Sequence, residues 1–547
     1  MKVIIIGGVA GGASCAARLR RMDEHCQIIM VERGGFISYA NCGLPYYIGG
    51  EIEDAEELEL QTPESFNARF NVDVRIHTEA VAIHRGTKAV TLRSTQTGDI
   101  VTESYDKLLL APGAEPIRPA MPGLDLPGVF TLRTIPDTLA IKRFIATRKP
   151  RRALVVGGGF IGLEMAENLA HAGLHVTLME AAQQVLAPLD IDMVWEVHAH
   201  LRRSGVDLRL ETPFQGIAQK GEGLVAQTAA GDVEADLVVL ALGVRPESAL
   251  ASDCGLTVDK RGYIATDEHM RTSDPDIYAV GDAVQVTDLH TGLRGALALA
   301  GPANRQGRVA ADNIAGHLAV FAPVQGSSVV RVFGLTACAT GLSEKAAERA
   351  GITAAKTFIH TANHATYYPG WSNLSIKVLY AQGTGKILGA QCVGFEGVDK
   401  RCDVLATAIR AGMTAEDLVS LELCYAPPYG SAKDPVNLAA FTIQNELAGL
   451  VKSFHWHDVA ALPVQGITRL DVRTRVEYSG GYMDGFVNIP LDDLRARMGE
   501  LDKARPVYIA CLGGMRGYVA ARILTQSGFE CYNLNGGYRL YHGVTRK

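Results

Sequence analysis

The stretch ALVVGGGFIGLEMAENLAHAGLHVTLME, residues 153–180, decides the architecture. Residues 153–156 are apolar and read as a short buried strand. Gly157, Gly159 and Gly162 then complete a G-x-G-x-x-G turn, with Phe160 and Ile161 inside it. LEMAENLAHAG follows as a helix, and HVTLME is a second strand that ends on Glu180. A dinucleotide needs this order. The turn lets backbone amides approach the pyrophosphate, the helix N-terminus presents aligned N–H groups, and the acid accepts the ribose hydroxyls.

The pattern occurs twice. Strand 3–6 (VIII) leads into Gly7-Gly8-Val9-Ala10-Gly11-Gly12, the helix ASCAARLRRM and the strand QIIMVE, which ends at Glu32. Val9 stands where the fingerprint has its second Gly. DKLLLAPGAEP (106–116) and DLVVLALGVRP (236–246) agree in spacing at Asp, at Ala111 and Ala241, at Gly113 and Gly243, and at Pro. Such self-similarity at fixed spacing marks a duplicated module. YAVGDA (278–283), with Gly281 and Asp282, follows the second module and has no counterpart inside it. The first module is therefore expected to be split, 1–148 and 245–322, around a second at 149–244.

A split FAD module carrying an inserted NAD module is the arrangement of two-dinucleotide flavoproteins. The expected FAD contacts are Gly7, Ala10, Gly11, Gly12, Glu32, Arg33, Asn41, Val81, Ala111, Arg133, Gly281 and Asp282. Those for NADH are Gly157, Gly159, Phe160, Ile161, Gly162, Glu180 and Gly243. Glu180 repels a 2′-phosphate, and Ala181, Ala182 and Gln183 offer no arginine to hold one, so NADH is expected over NADPH.

The chain has 547 residues, 47% hydrophobic and 20% charged, with 53 basic against 59 acidic residues and a net charge of −6. That composition suits several globular domains. It argues against disorder and against a nucleic-acid binder that relies on bulk positive charge. No apolar run approaches the ~18 residues of a membrane span. The opening MKVIIIGG turns glycine-rich too early for a secretory signal, so a cytoplasmic location is expected. The ten cysteines include no C-x-x-C pair, which leaves a zinc ribbon or vicinal dithiol without support; no metal is expected.

Cys42 stands in ISYANCGLPYYIGG (37–50), after the first ribose acid and before an expected helical turn. A helix N-terminus there is expected to favour the thiolate and lower its pKa. A dithiol enzyme would need a second cysteine about five residues on, where the chain has Tyr46 and Tyr47. Cys42 is thus expected to cycle alone between thiolate and a mixed disulfide or an oxidised sulfur.

GGVAGG, SYANCGLPYYIGG, NHATYYPG (363–370) and CYAPPYGSAKDPVN (424–437) resemble the single-cysteine pyridine nucleotide–disulfide reductases over the first ~450 residues, closest to coenzyme A disulfide reductase. NADH peroxidases and water-forming oxidases place a His in the first glycine turn, where this chain has Ala10. The resemblance implies a mixed disulfide of Cys42 with coenzyme A, in a channel lined by Ser14, Ser38, Asn41, Arg18 and Arg21, with Lys433 a further contact. Arg18 and Arg21 share a helix face; they suit a phosphate-rich ligand or a plain solvated surface. Tyr367 and Tyr425 match tyrosines that the family brings from the partner subunit, as proton donors or as interface packing. Residues 325–447, with LSIKVLYAQGTGKILGAQCVG and the helix VDKRCDVLATAIRAG, match the family's α+β dimerisation domain and imply a homodimer.

After a linker at 448–459, residues 460–547 read as a second α/β unit. Cys511 ends the strand VYIA, and Arg516 closes a C-x-x-x-x-R loop before a helix. Backbone N–H groups wrapped round a sulfur suit a persulfide anion. LDVR (470–473), DGFVNIP (484–490), CLGGMRG (511–517) and NLNGGY (533–538) resemble a rhodanese. Asp471 and Arg473 match its bracing pair, Gly517 replaces a frequent Ser, and Cys531 is expected in the core. The whole implies an NADH-dependent persulfide or polysulfide reductase using FAD and coenzyme A. Two alternatives remain. One is a coenzyme A disulfide reductase or NADH oxidase with an accessory rhodanese; the other is a redox-sensing sulfur-binding protein with little turnover.

Overall fold

The computed structural model describes residues 1–546 and divides into two compact units, Met1–Val185 with Gly205–Val324, and Leu186–Ser204 with Gln325 onward.

The first unit holds two parallel five-stranded sheets. In one, β1 (Lys2–Ile6) lies centrally, flanked by β2 (Gln27–Val31) and then β3 (Asp73–Arg75) on one side. On the other side lie β4 (Lys107–Leu110) and, outermost, Ile277–Ala279. That last strand comes from beyond the second sheet, so the chain leaves the first sheet and returns to it, which gives the split architecture. The crossover from β1 to β2 is α1 (Ala10–Met22). Cys42 lies in a 3-10 turn, Asn41–Gly43, that runs into the short helix α2 (Leu44–Gly49).

The second sheet repeats the plan. β5 (Arg152–Val156) leads through α3 (Phe160–His171) to β6 (His175–Met179), with Asp207–Arg209, Leu237–Leu240 and Val129–Phe130 completing the order. The central strands of both sheets are apolar on both faces: Val3, Ile4 and Ile5, like Leu154 and Val155, are fully buried. Helices cover both faces of such sheets, so their strands read as continuous apolar runs without alternation.

The second unit joins an antiparallel sheet to a parallel one. The antiparallel sheet contains β7 (Leu335–Gly341), β8 (Ala354–Ala362), β9 (Asn373–Ala381) and β10 (Ile387–Gly394), in the order β7-β10-β9-β8, with Ser328–Val332 outside β7. α4 (Val398–Ala411) and α5 (Pro435–Leu447) accompany it. The parallel sheet is built from Lys452–Phe454, Cys531–Leu534, β11 (Val507–Ala510), Thr468–Asp471 and Val487–Asn488, in that order.

Leu186–Ser204, which lies within the 149–244 span, groups with this second unit. Lys377 of β9 is 0% exposed, and its Nζ donates to Asp190 Oδ2 (2.9 Å), Asp192 Oδ1 (2.6 Å) and Glu344. A buried ammonium is tolerated only with such partners, and removing one leaves an uncompensated charge. The ion cluster therefore ties the helix Ile191–Arg203 to the antiparallel sheet. No described helix is long and apolar enough to cross a membrane.

Candidate functional site

Both glycine turns are built the same way. Gly7 and Gly157 have φ of +100° and +112°, a region that favours glycine, and a Cβ there would meet the carbonyls of Ala111 and Ala241 at 2.1 and 2.2 Å. A Cβ on Gly12 or Gly162 would sit 1.9 Å from the Gly7 or Gly157 carbonyl. These positions admit no side chain. Gly159 differs, because a Cβ there would meet nothing within 4 Å. The protein itself does not demand glycine at that position, and this is why the first copy tolerates Val9.

The two acids also match. Glu32 accepts from the Gly8 N–H (3.0 Å) and the Gly34 N–H (2.9 Å), and Glu180 from Gly158 (2.7 Å) and Ala182 (2.8 Å). Each carboxylate locks its glycine turn to the loop after the second strand, at the place where a ribose would be read. Ala10 and Gly11 open α1; Phe160 and Ile161 open α3, with Ile161 exposed. Arg33 and Arg133, far apart in sequence, converge on Glu247, which neither repeat had flagged. The Gly281 N–H donates to Gln306 (2.7 Å). Gly243 has φ +94°, and Val81 is exposed on a separate antiparallel hairpin. Two tight amide-lined turns, each with its own acid, fit two dinucleotides.

Ser38 adopts φ +43°, and its N–H donates to the Gly8 carbonyl (2.8 Å), which turns the Cys42 segment back onto the first glycine loop. Cys42 and Asn41 are exposed. The thiol does not behave as the sequence suggests: its pKa is raised, first by partial desolvation of the sulfur, although the residue is open to solvent, and then by the charges of Glu164 and Asp282. α2 has only six residues, too few for its dipole to offset two carboxylates and partial desolvation. Glu164, on α3 just past Gly162, is itself pushed up to about 7, mainly by burial, while Tyr46 Oη donates to it at 3.4 Å. Burial also raises Asp282. The first unit thus gathers Cys42, Asp282 and Glu164. Glu164 was not anticipated, because a helical glutamate after a glycine turn has no motif of its own.

The expected coenzyme A contacts are spread out. Ser14 bonds Asn304, Arg18 Nε pairs with Asp312 Oδ1 (2.6 Å), and Arg21 is exposed. Arg18 is therefore engaged by a carboxylate, whereas Arg21 is open to solvent. Lys433 is exposed in the second unit. There Tyr367 and Tyr425 meet, Oη to Oη at 2.8 Å, both exposed. Buried Arg401 of α4 holds their loops. It bonds Asp434 (2.8 Å), the Asn363 carbonyl (3.0 Å) and the Tyr429 carbonyl (3.3 Å). A cavity of about 680 Å³ opens beside them, lined by His364, Tyr368, Lys400, Cys424, Tyr425 and Tyr429 among others.

Cys511 directly follows β11 and is 1% exposed; its Sγ accepts from the Gly514 N–H at 3.1 Å. Arg516 forms a two-pronged pair with Glu477 (2.7 and 2.6 Å), which holds the Glu477 carboxyl down at about 2. Glu477 was missed, yet it also caps the turn of helix at Arg475–Ser479 through Thr474. Asp471 and Arg473 form a buried pair (2.7 Å), and Arg473 stacks on Tyr538 at 3.9 Å. Gly517 has a local reason: a Cβ there would meet Asn533 Oδ1 at 2.1 Å. Cys531 is buried in the core, its thiol raised to about 11 by burial.

The sulfur loop rests on the antiparallel sheet. A Cβ on Gly513 would lie 3.5 Å from the His360 Cβ of β8. Asn535 accepts from the Phe358 N–H (2.8 Å) and donates to Thr357 (3.2 Å) and Glu446 (2.9 Å). Burial pushes the His360 imidazole down to about 3, so it is neutral there.

Family models agree with this anatomy. Residues 1–307 match the pyridine nucleotide-disulphide oxidoreductase model, 327–435 its dimerisation domain, and 459–543 the rhodanese-like domain. The chain belongs to the pyridine nucleotide-disulphide oxidoreductase family and is an oxidoreductase with a C-terminal rhodanese-like domain; the family implies FAD and a pyridine nucleotide. A coenzyme A disulfide reductase of Staphylococcus haemolyticus is 34% identical over 441 residues, 80% of this chain and 98% of that protein. The crystal structure of reduced Bacillus anthracis CoADR-RHD is 46% identical with a TM-score of 0.97, covering 99% of this chain and 98% of that one. An NAD-dependent persulfide reductase from A. fulgidus is 36% identical with a TM-score of 0.93, covering 99% and 100%.

Proposed function

We propose that the protein is an NADH-dependent reductase of coenzyme A persulfide and polysulfide, in which the rhodanese domain supplies sulfur and hydrosulfide is released. One observation carries the reading: a chain with a solitary cysteine beside its nucleotide turns also holds a Cys511 loop with Arg516 clamped by Glu477.

The Cys42 thiolate attacks the inner sulfur of a persulfide. A Cys42–S–S–R bond forms, the S–S bond of the substrate breaks, and hydrosulfide leaves with the electron pair. Tyr367 and Tyr425 of the partner subunit, in a homodimer, donate protons to the leaving sulfur. When bound, the flavin and nicotinamide supply the electron pair that returns Cys42 to thiolate and frees the second thiol. The first glycine turn with Glu32, Arg33, Arg133 and Asp282 holds FAD, and the second with Glu180 holds NADH. Glu180, an acid fixed at the turn, disfavours a 2′-phosphate. Ser14, Ser38, Arg21 and Lys433 bind coenzyme A. Cys511 carries a persulfide stabilised by the Gly514 N–H and by the positive Arg516.

Replacing Cys511 with Ser and measuring NADH consumption tests the coupling. The expected result is a fall of about tenfold or more with a sulfur donor that must load through the rhodanese, such as thiosulfate with coenzyme A, and little change with preformed coenzyme A persulfide. Equal rates with every donor would favour the second reading, a coenzyme A disulfide reductase with an accessory rhodanese. That activity is the one named for the Staphylococcus relative.

A further inference from the structure

Three thiols meet where α4 lies across the antiparallel sheet. Cys338 of β7 and Cys392 of β10 stand directly opposite each other on neighbouring strands, and opposite residues share a face. That face carries α4. A Cβ on Gly394, two residues beyond Cys392 and so on the same side, would lie 3.2 Å from Val398 Cγ2. Cys392 is about 7 Å from that contact along the strand, and Cys402 about 6 Å from it along the helix. The Cys402 sulfur is in side-chain hydrogen-bond contact with both of the others. All three are free thiols, and Cys338, Cys392 and Cys402 are 2%, 0% and 5% exposed.

The S–H groups of Cys338 and Cys392 hold the Cys402 thiol down at about 4, against the effect of burial. A buried structural cysteine shows the reverse: Cys15 is raised by desolvation, and such a thiol is inert. One thiolate faced by two S–H groups is set up for oxidation followed by disulfide closure. Arg401, the neighbour of Cys402, bonds the Asn363 and Tyr429 carbonyls and Asp434, and so holds the loops of Tyr367 and Tyr425.

We propose that Cys338 and Cys402 form a reversible disulfide when a small hydroperoxide meets the Cys402 sulfur, and that the new bond draws the start of α4 onto β7 and displaces Arg401 from the tyrosine loops. The Cys402 thiolate attacks one peroxide oxygen. The O–O bond breaks, hydroxide leaves to be protonated by solvent, and a sulfenic acid remains. The Cys338 thiol then attacks that sulfur; the S–O bond breaks, water leaves and the S–S bond forms. Two thiols lose two electrons, and one peroxide becomes two waters. Cys392 stays a thiol. The effect on turnover rests on the role proposed above for Tyr367 and Tyr425; the bond itself does not, and it is measured separately.

The test treats the reduced full-length flavoprotein with hydrogen peroxide, blocks free thiols under denaturing conditions and maps peptides by mass spectrometry without reductant. A peptide pair joined through Cys338 and Cys402 is expected, lost on adding dithiothreitol, absent from Cys338→Ala and Cys402→Ala and retained in Cys392→Ala. NADH consumption with coenzyme A disulfide is followed on the same samples. Cys42 is open to peroxide in every variant, so Cys402→Ala is the control. Wild-type turnover is expected to fall about threefold further than that of Cys402→Ala, at equal flavin content. The wild-type map stands whether or not a variant folds. No cross-link in the wild type, or one that joins Cys392 in place of Cys338 or Cys402, overturns the disulfide. A cross-link with equal loss of turnover in wild type and Cys402→Ala overturns its action on Arg401.

Discussion

At Cys42 the protein environment raises the thiol pKa, and Glu164 is the larger of the two carboxylate contributions to that rise. Glu164→Gln should shift the pH profile of Cys42 alkylation to lower pH, because one like charge is gone. An unchanged profile would mean that Glu164 lies too far away to matter. The same substitution has a stability signature. A carboxyl raised from 4.5 to about 7 in the folded protein holds a proton that the unfolded chain has released. Stability therefore falls as pH rises from about 4.5 to 7, and Glu164→Gln should remove that fall from the pH dependence of Tm. Motif residues such as Cys42, Cys511 and Arg516 were legible one by one in the sequence. Glu164, Glu247 and Glu477 were not. Each acts on a residue distant in the chain, and a lone glutamate carries no spacing that reveals its partner.

The two glycine turns are the elements the sequence exposed most fully, since their glycines answer steric demands that repeat in both copies. Gly12 and Gly162 face the same 1.9 Å clash, yet in the proposed assignment they serve different ligands. Gly12→Ala should cost the protein most of its flavin, seen as lost absorbance at 450 nm. Gly162→Ala should keep the flavin and raise KM for NADH by about tenfold or more. Identical defects in the two variants would contradict the division of labour between the modules. The helix Ile191–Arg203 was less legible, because its attachment to the second unit depends on Lys377, a lysine that is charged in sequence yet fully buried in the fold. The expected thiolate stabilisation at Cys42 failed for a related reason: the length of α2 and the carboxylates around the sulfur emerge only in three dimensions.

Over the whole molecule, β8 joins the Cys511 loop of the second unit to its tyrosine pair. His360 lies under the Cys511 loop, and the strand runs on into the loop that carries Tyr367. If Tyr367 and Tyr425 serve the partner's Cys42, then Cys511 should feed the partner as well. A heterodimer of one Cys42→Ser chain and one Cys511→Ser chain should then retain about half of the coupled activity, whereas either homodimer retains almost none. Heterodimers as inactive as the homodimers would place the hand-off within one chain.

The most direct measurement is hydrosulfide release by the Cys42→Ser flavoprotein, supplied with NADH and coenzyme A persulfide. The account predicts that release falls to the uncatalysed rate while FAD stays bound and Cys511 still takes up sulfur from thiosulfate. Sulfide production continuing at the wild-type rate would contradict it.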